Sequence, residues 1–226
     1  LFEEDNRFQQ FSAEGANLLL DYSKTNLDLI GKNLLIQLLE NSSFIEKRTQ
    51  MFAGMKLNLS ENRRVSHTAL RSTKDNLTGQ NKGILREIKR NLEKMADFCN
   101  GVRDGHIKSS MGKKYTDVIN VGIGGSDLGP RMVTYALRPY HTGPRCHYIS
   151  NIDGEQVNDV LKSLDPKTTL VILASKSFTT METIKNAETI IGWLKGNIGD
   201  KIANHLVAVS SNTEEAKKFG VKDRNL

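Results

Sequence analysis

DVINVGIGGSDLGP, Asp117 to Pro130, decides the fold class: an apolar run of strand length (Asp117 to Ile123) breaks at glycines and passes into a helix-like segment, Leu128 to Leu137. The same order recurs further along the chain. TLVILASKSFTTMET, Thr169 to Thr183, is a strand-like run to Ala174, then a turn rich in hydroxyls, then a helix from Thr180 to Leu194. Cys146 to Ser150 and His205 to Ser210 also read as strands, and Gln156 to Leu164 as a helix. Strands alternating with helices predict a parallel sheet with right-handed crossovers and helices on both faces. The fold class is therefore α/β, a doubly wound, three-layer αβα sandwich. VINVGI and VILAS are apolar on both faces, as central parallel strands are.

In such sheets ligands sit beyond the carboxyl ends of the strands, where the strand order reverses. With an order of 2-1-3-4, the first and third strands are neighbours whose helices leave to opposite faces. Those two strands carry the two turns, Val121 to Pro130 (VGIGGSDLGP) and Ala174 to Thr183 (ASKSFTTMET). Residues far apart in sequence should then line one crevice.

A phosphate is bound by backbone N–H groups that can approach it closely, by hydroxyls on short side chains, and by the positive end of a helix dipole. Both turns offer all three. In the first, Gly122, Gly124 and Gly125 remove side chains where the backbone would meet a ligand, and Ser126 and Asp127 follow at the helix start. It is not a dinucleotide fingerprint, because Asp127 stands where G-x-G-x-x-G needs glycine, and it is not a P-loop, because Pro130 and Arg131 follow Gly129. In the second, Ser175, Lys176, Ser177, Thr179, Thr180 and Thr183 gather five hydroxyls and a cation. A capping box from Thr179 to Glu182 is the plainer account of that turn, but it explains two residues and not six. Glu182 could orient a catalytic histidine or simply favour the helix dipole.

The rest of the chain carries less chemistry. Asn26 to Glu40 reads as a helix with Leu27, Ile30, Leu34 and Leu38 in one stripe; Ser42 or Ser43 can cap a segment ending near Gly54, Ser60 another through Leu70, and Asn81 to Val102 repeats the helical period. This predicts a mainly helical region over residues 1–105 and a phosphate-binding αβα domain over 106–226. The five histidines show no metal or catalytic spacing. Cys99 and Cys146 read as reduced packing residues. Asn41, Asn58 and Asn76 begin Asn-x-Ser/Thr triplets that carry no weight without a secretory signal.

Composition bounds the function. At 226 residues, 38% hydrophobic, with mean hydropathy -0.44, the chain can bury a sizeable core. No apolar run approaches the ~20 residues of a membrane helix, and LFEEDNRFQQ lacks the order of a signal peptide, so a cytoplasmic setting without membrane contact is expected. The net charge of +6 could serve an anionic small molecule, but Lys82, Arg86, Lys89, Arg90 and Lys94 have no interleaved aromatics and read as a solvated helix face rather than a nucleic-acid surface.

Five segments together, MFAGMKLN (Met51 to Asn58), HTALR (His67 to Arg71), INVGIGGSDLGPRMV (Ile119 to Val133), SNIDG (Ser150 to Gly154) and SKSFTTMET (Ser175 to Thr183), closely resemble the glucose-6-phosphate (phosphoglucose) isomerase family over nearly the whole chain. That resemblance implies a sugar-isomerase (SIS) αβα domain, a cytoplasmic homodimer of glycolysis and gluconeogenesis, and interconversion of glucose 6-phosphate and fructose 6-phosphate through a cis-enediol without metal or cofactor. By residue, it implies that Gly125 and Ser126 line the sugar-phosphate pocket and that Ser175, Lys176, Ser177, Thr180 and Thr183 hold the phosphate, with Glu182 supporting a ring-opening histidine. Ser177 departs from the family's usual threonine and Met181 from a common glutamine. Family members continue past Phe219 to Val221 into a GGR-containing stretch, a second SIS domain and a C-terminal helical region, and those parts carry the proton-transfer groups. The chain is accordingly expected to be the N-terminal part, holding the phosphate clamp and inactive alone; a non-enzymatic, sugar-phosphate-sensing SIS module is the alternative.

Overall fold

The structure, a computed structural model, describes residues 5–72 and 81–226. The chain divides into two compact units, Leu1–Leu92 and Glu93–Leu226, with a long helix running through the division.

In the first unit a short helix, α1 (Arg7–Gln10), leads into a hairpin of β1 (Ser12–Gly15) and β2 (Leu18–Asp21). The pattern reading missed this hairpin. Its turn residues Ala16 and Asn17 both have positive φ, 51° and 61°, the geometry that twists a two-residue loop to match its strands. Arg7 is buried beside it, its guanidinium donating to the carbonyls of Ser23, Thr25 and Leu27 and lying 4.2 Å from the Phe11 ring. Next come α2 (Leu29–Asn41), capped by the Asp28 carboxylate on the Gly31 N–H, and α3 (Phe44–Phe52). The apolar stripe of α2 exists as a helical face, yet none of its residues is buried: Ile30, Leu34 and Leu38 are 59–71% exposed. The helix expected from Ser60 to Leu70 shrinks to α4 (His67–Leu70). Asn58 and Arg63 form an isolated β-bridge instead, because Ser60 to Ser66 has one apolar residue, Val65, and a helix there would have no face to bury.

The helix α5 (Asn81–Asp104) carries Arg86, Lys89, Arg90 and Glu93 exposed to water. Cys99 on it is exposed too, so it is not the packing residue its helical surroundings suggested; Cys146 is half-buried, and burial pushes its thiol up. The Asn76 triplet and the Lys82 side chain lie outside the described residues.

The second unit is built on four parallel strands: β3 (Asp117–Val121), β4 (Arg145–Ile149), β5 (Thr169–Ala174) and β6 (Leu206–Val209). Their order is β4-β3-β5-β6, with Val121 level with Ile149 on one side and with Leu173 on the other. The helices between and after them are α6 (Leu128–Ala136), α7 (Gly154–Lys162), α8 (Met181–Ile198) and α9 (Thr213–Lys218). This is the 2-1-3-4 order under which the two turns fall on neighbouring strands.

Strand alternation assigns the faces. Ile119, Val121, Ile149, Val171 and Leu173 pack with Val157 of α7, with Ala187, Ile190 and Leu194 of α8 and with Ala216 of α9 in the main core. On the other face Val118, Leu170 and Val207 pack with Phe98 and Val102 of α5. Tyr148, level with Asn120 on that face, exchanges a 2.6 Å hydrogen bond with Thr134 and donates to the Pro130 carbonyl, which fixes α6 there. The helices following β3 and β5 thus cover opposite faces, and the strand order reverses between these two neighbours.

Two polar groups are buried at the amino-terminal ends of strands, Asp117 at the start of β3 and His205 just before β6. Asp117, 1% exposed, accepts from Arg145, His147 and Thr116. Burial alone would raise its carboxyl, but these bonds and the Arg145 charge hold it below the usual carboxylate range. His205, fully buried, bonds the Thr169 carbonyl through Nδ1 at 2.8 Å and takes the Ser110 hydroxyl and N–H at Nε2, which makes it neutral with the proton on Nδ1.

Candidate functional site

Beyond the carboxyl ends of β3 and β5, the two turns meet. Gly122, buried at the end of β3, has Ser126 and Ala174 against its Cα: a Cβ built there would lie 2.8 Å from the Ser126 Cβ, 2.9 Å from the Ala174 carbonyl oxygen and 3.0 Å from the Ser126 carbonyl oxygen. Ala174 directly precedes Ser175, so the first turn's serine and the second turn's start pack on the same glycine. Asn120 Nδ2 donates to the Ser126 carbonyl at 2.9 Å and pins the first turn from the strand side. Gly124 has φ 58° and opens a single 3₁₀ turn, Gly124–Ser126, while Gly125 is exposed with open space where a Cβ would be.

Asp127 and Arg131 form a 2.8 Å ion pair one helical turn apart, with the carboxylate buried. Asp127 therefore serves Arg131 and makes no side-chain capping bond to α6. Arg131 also reaches the Ser150 hydroxyl at 3.4 Å, in the loop after β4. On the other side of that loop, Asn186 Nδ2 of α8 donates to the Asn151 carbonyl at 2.8 Å. The helices α6 and α8 are thereby both tied to the loop after β4.

The second turn is shaped by its own side chains. Ser175 is buried, and its hydroxyl oxygen accepts from the Phe178 N–H at 3.1 Å. Phe178 has φ 53°, in the left-handed region that costs a bulky residue about 1–2 kcal/mol, and its ring is buried against Phe219. Ser177 and Thr179 share a 2.6 Å hydroxyl bond. Lys176 and Ser177 are exposed.

Thr180 is the N-cap of α8 but makes no side-chain capping bond, and Thr179 is engaged with Ser177, so the capping box does not form. One turn in, the Thr183 hydroxyl is buried and has no hydrogen-bond partner. Glu182 is half-buried in the same turn. The helix itself is firmly seated, with Thr183, Asn186, Ala187, Ile190, Leu194 and Ile198 buried, so its positive end is held in place.

The structure thus brings Gly125, Ser126, Ser175, Lys176, Ser177, Thr180, Glu182 and Thr183 to the carboxyl end of the two central strands, at the point where the strand order reverses. Sequence reasoning missed the third contributor, Ser210 to Asn212 after β6, whose hydroxyls and amide bond the Lys176 and Ser177 carbonyls. A strand end followed by two serines and an asparagine was the available signal. Among the described residues no three His, Cys, Asp or Glu side chains cluster as metal ligands would.

The sequence profile of the phosphoglucose isomerase family matches residues 21–226. The chain belongs to this family. A glucose-6-phosphate isomerase from Ruegeria sp. is 46% identical over 224 residues, covering 98% of the chain and 41% of the relative. Glucose-6-phosphate isomerase 1 of Colwellia psychrerythraea is 44% identical over 233 residues, covering the whole chain and 42% of the relative. In structure, a glucose-6-phosphate isomerase from Chlamydia trachomatis superposes with a TM-score of 0.71 at 30% identity, over 92% of the chain and 40% of that protein. The chain spans about two fifths of the length of the curated relatives it matches. No helix among the described residues is long and apolar enough to cross a membrane.

Proposed function

We propose that this chain is the phosphate-gripping part of a glucose-6-phosphate isomerase, which interconverts glucose 6-phosphate and fructose 6-phosphate through a cis-enediol. The observation that carries the reading is the head of α8: an N-cap threonine without its capping bond and a buried Thr183 hydroxyl without a partner. A buried unsatisfied hydroxyl costs about 1–3 kcal/mol, and a phosphoryl oxygen would remove that cost. In the proposed site Ser175, Ser177, Thr180 and Thr183 donate to the phosphoryl oxygens and Lys176 supplies a point charge. The dipole of the 18-residue α8 acts along the same line. Gly125 and Ser126 line the sugar side, where the absence of a side chain at Gly125 leaves room for the ligand.

Isomerisation moves a proton between C1 and C2 and needs a base within ~3 Å of it. The two turns contribute hydroxyls, amides and a cation, and their remaining carboxylate is Glu182, which we assign to supporting another group. The chain alone accordingly binds sugar phosphate without turning it over. In this reading residues 106–226 form the sugar-phosphate-binding SIS domain, residues 1–105 the helical region, and the whole enzyme is a cytoplasmic homodimer.

Calorimetric titration tests the site. Glucose 6-phosphate should bind the purified chain and glucose should not, and Ser175→Ala or Thr180→Ala should weaken binding. Equal affinity for both sugars, or both variants unchanged, would refute it; turnover by the chain in a coupled assay would refute the division of labour.

A further inference from the structure

The backbone of the second turn is gripped from behind by the loop that follows β6. The Lys176 carbonyl oxygen accepts three hydrogen bonds, from the Ser210 hydroxyl at 3.0 Å, the Ser211 hydroxyl at 2.7 Å and the Ser211 N–H at 3.1 Å. The Ser177 carbonyl accepts from Asn212 Nδ2 at 3.0 Å. A carbonyl has two lone pairs, so three donors on one oxygen exceed what satisfying it requires. The loop is itself stiff: the Asn212 N–H donates to the Ser210 hydroxyl oxygen at 2.9 Å, and the Asn212 side chain caps α9 at the Glu215 N–H. The two loops also meet at the strand ends, where the Ser175 N–H donates to the Val209 carbonyl at 3.1 Å.

These bonds have a directional consequence. The peptide between Lys176 and Ser177 is trans, so its N–H points opposite to its C=O. Fixing the Lys176 carbonyl on Ser210 and Ser211 turns the Ser177 N–H away from that loop. The turn also contains Phe178 at φ 53°, a conformation that surrounding contacts must hold against its strain. We infer that Ser210, Ser211 and Asn212 are positioning residues of the phosphate site, acting through the Lys176 and Ser177 carbonyls to keep the 175–180 turn in its anion-receiving shape without touching the ligand. This inference rests on the reading of the 175–183 turn as a phosphate cradle.

The test compares the wild-type chain with Ser210→Ala/Ser211→Ala and Ser210→Thr/Ser211→Thr, titrated calorimetrically with glucose 6-phosphate. Thermal midpoints and amide hydrogen exchange at residues 176–178 are measured alongside. The alanine pair should bind about tenfold more weakly, the equivalent of about 1.4 kcal/mol, with its thermal midpoint little changed, faster exchange at these amides and affinity restored in the threonine pair. If the alanine pair does not fold, Ser210→Ala alone replaces it and is judged by the same comparison. A wild-type chain that binds no glucose 6-phosphate overturns the cradle and this inference together. Wild-type binding matched by the alanine variant leaves the cradle standing and overturns the positioning role alone.

Discussion

Gly122 and Ala174 touch across two neighbouring strand ends, and a methyl group on Gly122 would stand 2.9 Å from the Ala174 carbonyl oxygen. That oxygen belongs to the backbone of a central strand and cannot rotate away. Gly122→Ala should therefore destabilise the fold by about 1–3 kcal/mol, as overpacking of a tight site does, and should spread the two turns. Urea denaturation and titration with glucose 6-phosphate read both effects; wild-type values in both would show that the strand ends separate freely.

Phe178 sets two magnitudes against each other. Glycine there would relieve about 1–2 kcal/mol of left-handed strain but forfeit about 3–5 kcal/mol from emptying a buried aromatic site. Packing wins. Phe178→Gly should lower stability by about 2 kcal/mol net, measured by the shift in denaturant midpoint, and a gain in stability would contradict it.

Acid should weaken the fold in two windows. Burial pushes the His205 imidazole below its ordinary 6.5, against its bond to the Thr169 carbonyl, so the unfolded chain takes up a proton that the folded one resists. Its stabilisation is full above pH 6.5 and declines as pH falls from there through the lower folded value. Asp117, held below its ordinary 3.8, contributes stability above that value and loses it as pH falls further. In denaturation series, His205→Gln should flatten the upper window and leave the lower one in place.

The exposed stripe of α2 should make the chain self-associate. Ile30 and Leu34, 71% and 59% exposed, would each recover about 1.5–3 kcal/mol on full burial. Sedimentation velocity should find concentration-dependent oligomers in the wild type and fewer in Ile30→Glu/Leu34→Glu. A monomer at all concentrations would contradict the expectation.

The α/β unit was legible because period and length there leave little choice. VILAS is apolar on both faces and too short for a helix, and β5 is buried on both sides. The strand order was a condition rather than a reading, and the structure supplies it: β3 and β5, which carry the two turns, are neighbours. In the first unit the same rules faltered. LLLD, Leu18 to Asp21, has no alternation, and its β identity comes from the turn at Ala16 and Asn17 rather than from the strand. Within the site, the spacing of Ser175 to Thr183 pointed to an anion. The two serines and asparagine at Ser210 to Asn212 are visible after a strand, but not their role, because it depends on β6 lying beside β5.

Both turns hang from adjacent parallel strands, and such strands run about 4.8 Å apart whatever their side chains are. The mouth of the site is therefore gauged by the hydrogen-bond ladder of the sheet, in which Val121 stands level with Leu173. If the proposed phosphate site is right, exchanging hydroxyls around its rim, such as serine for threonine at position 177, retunes the grip while the aperture stays fixed by the main chain.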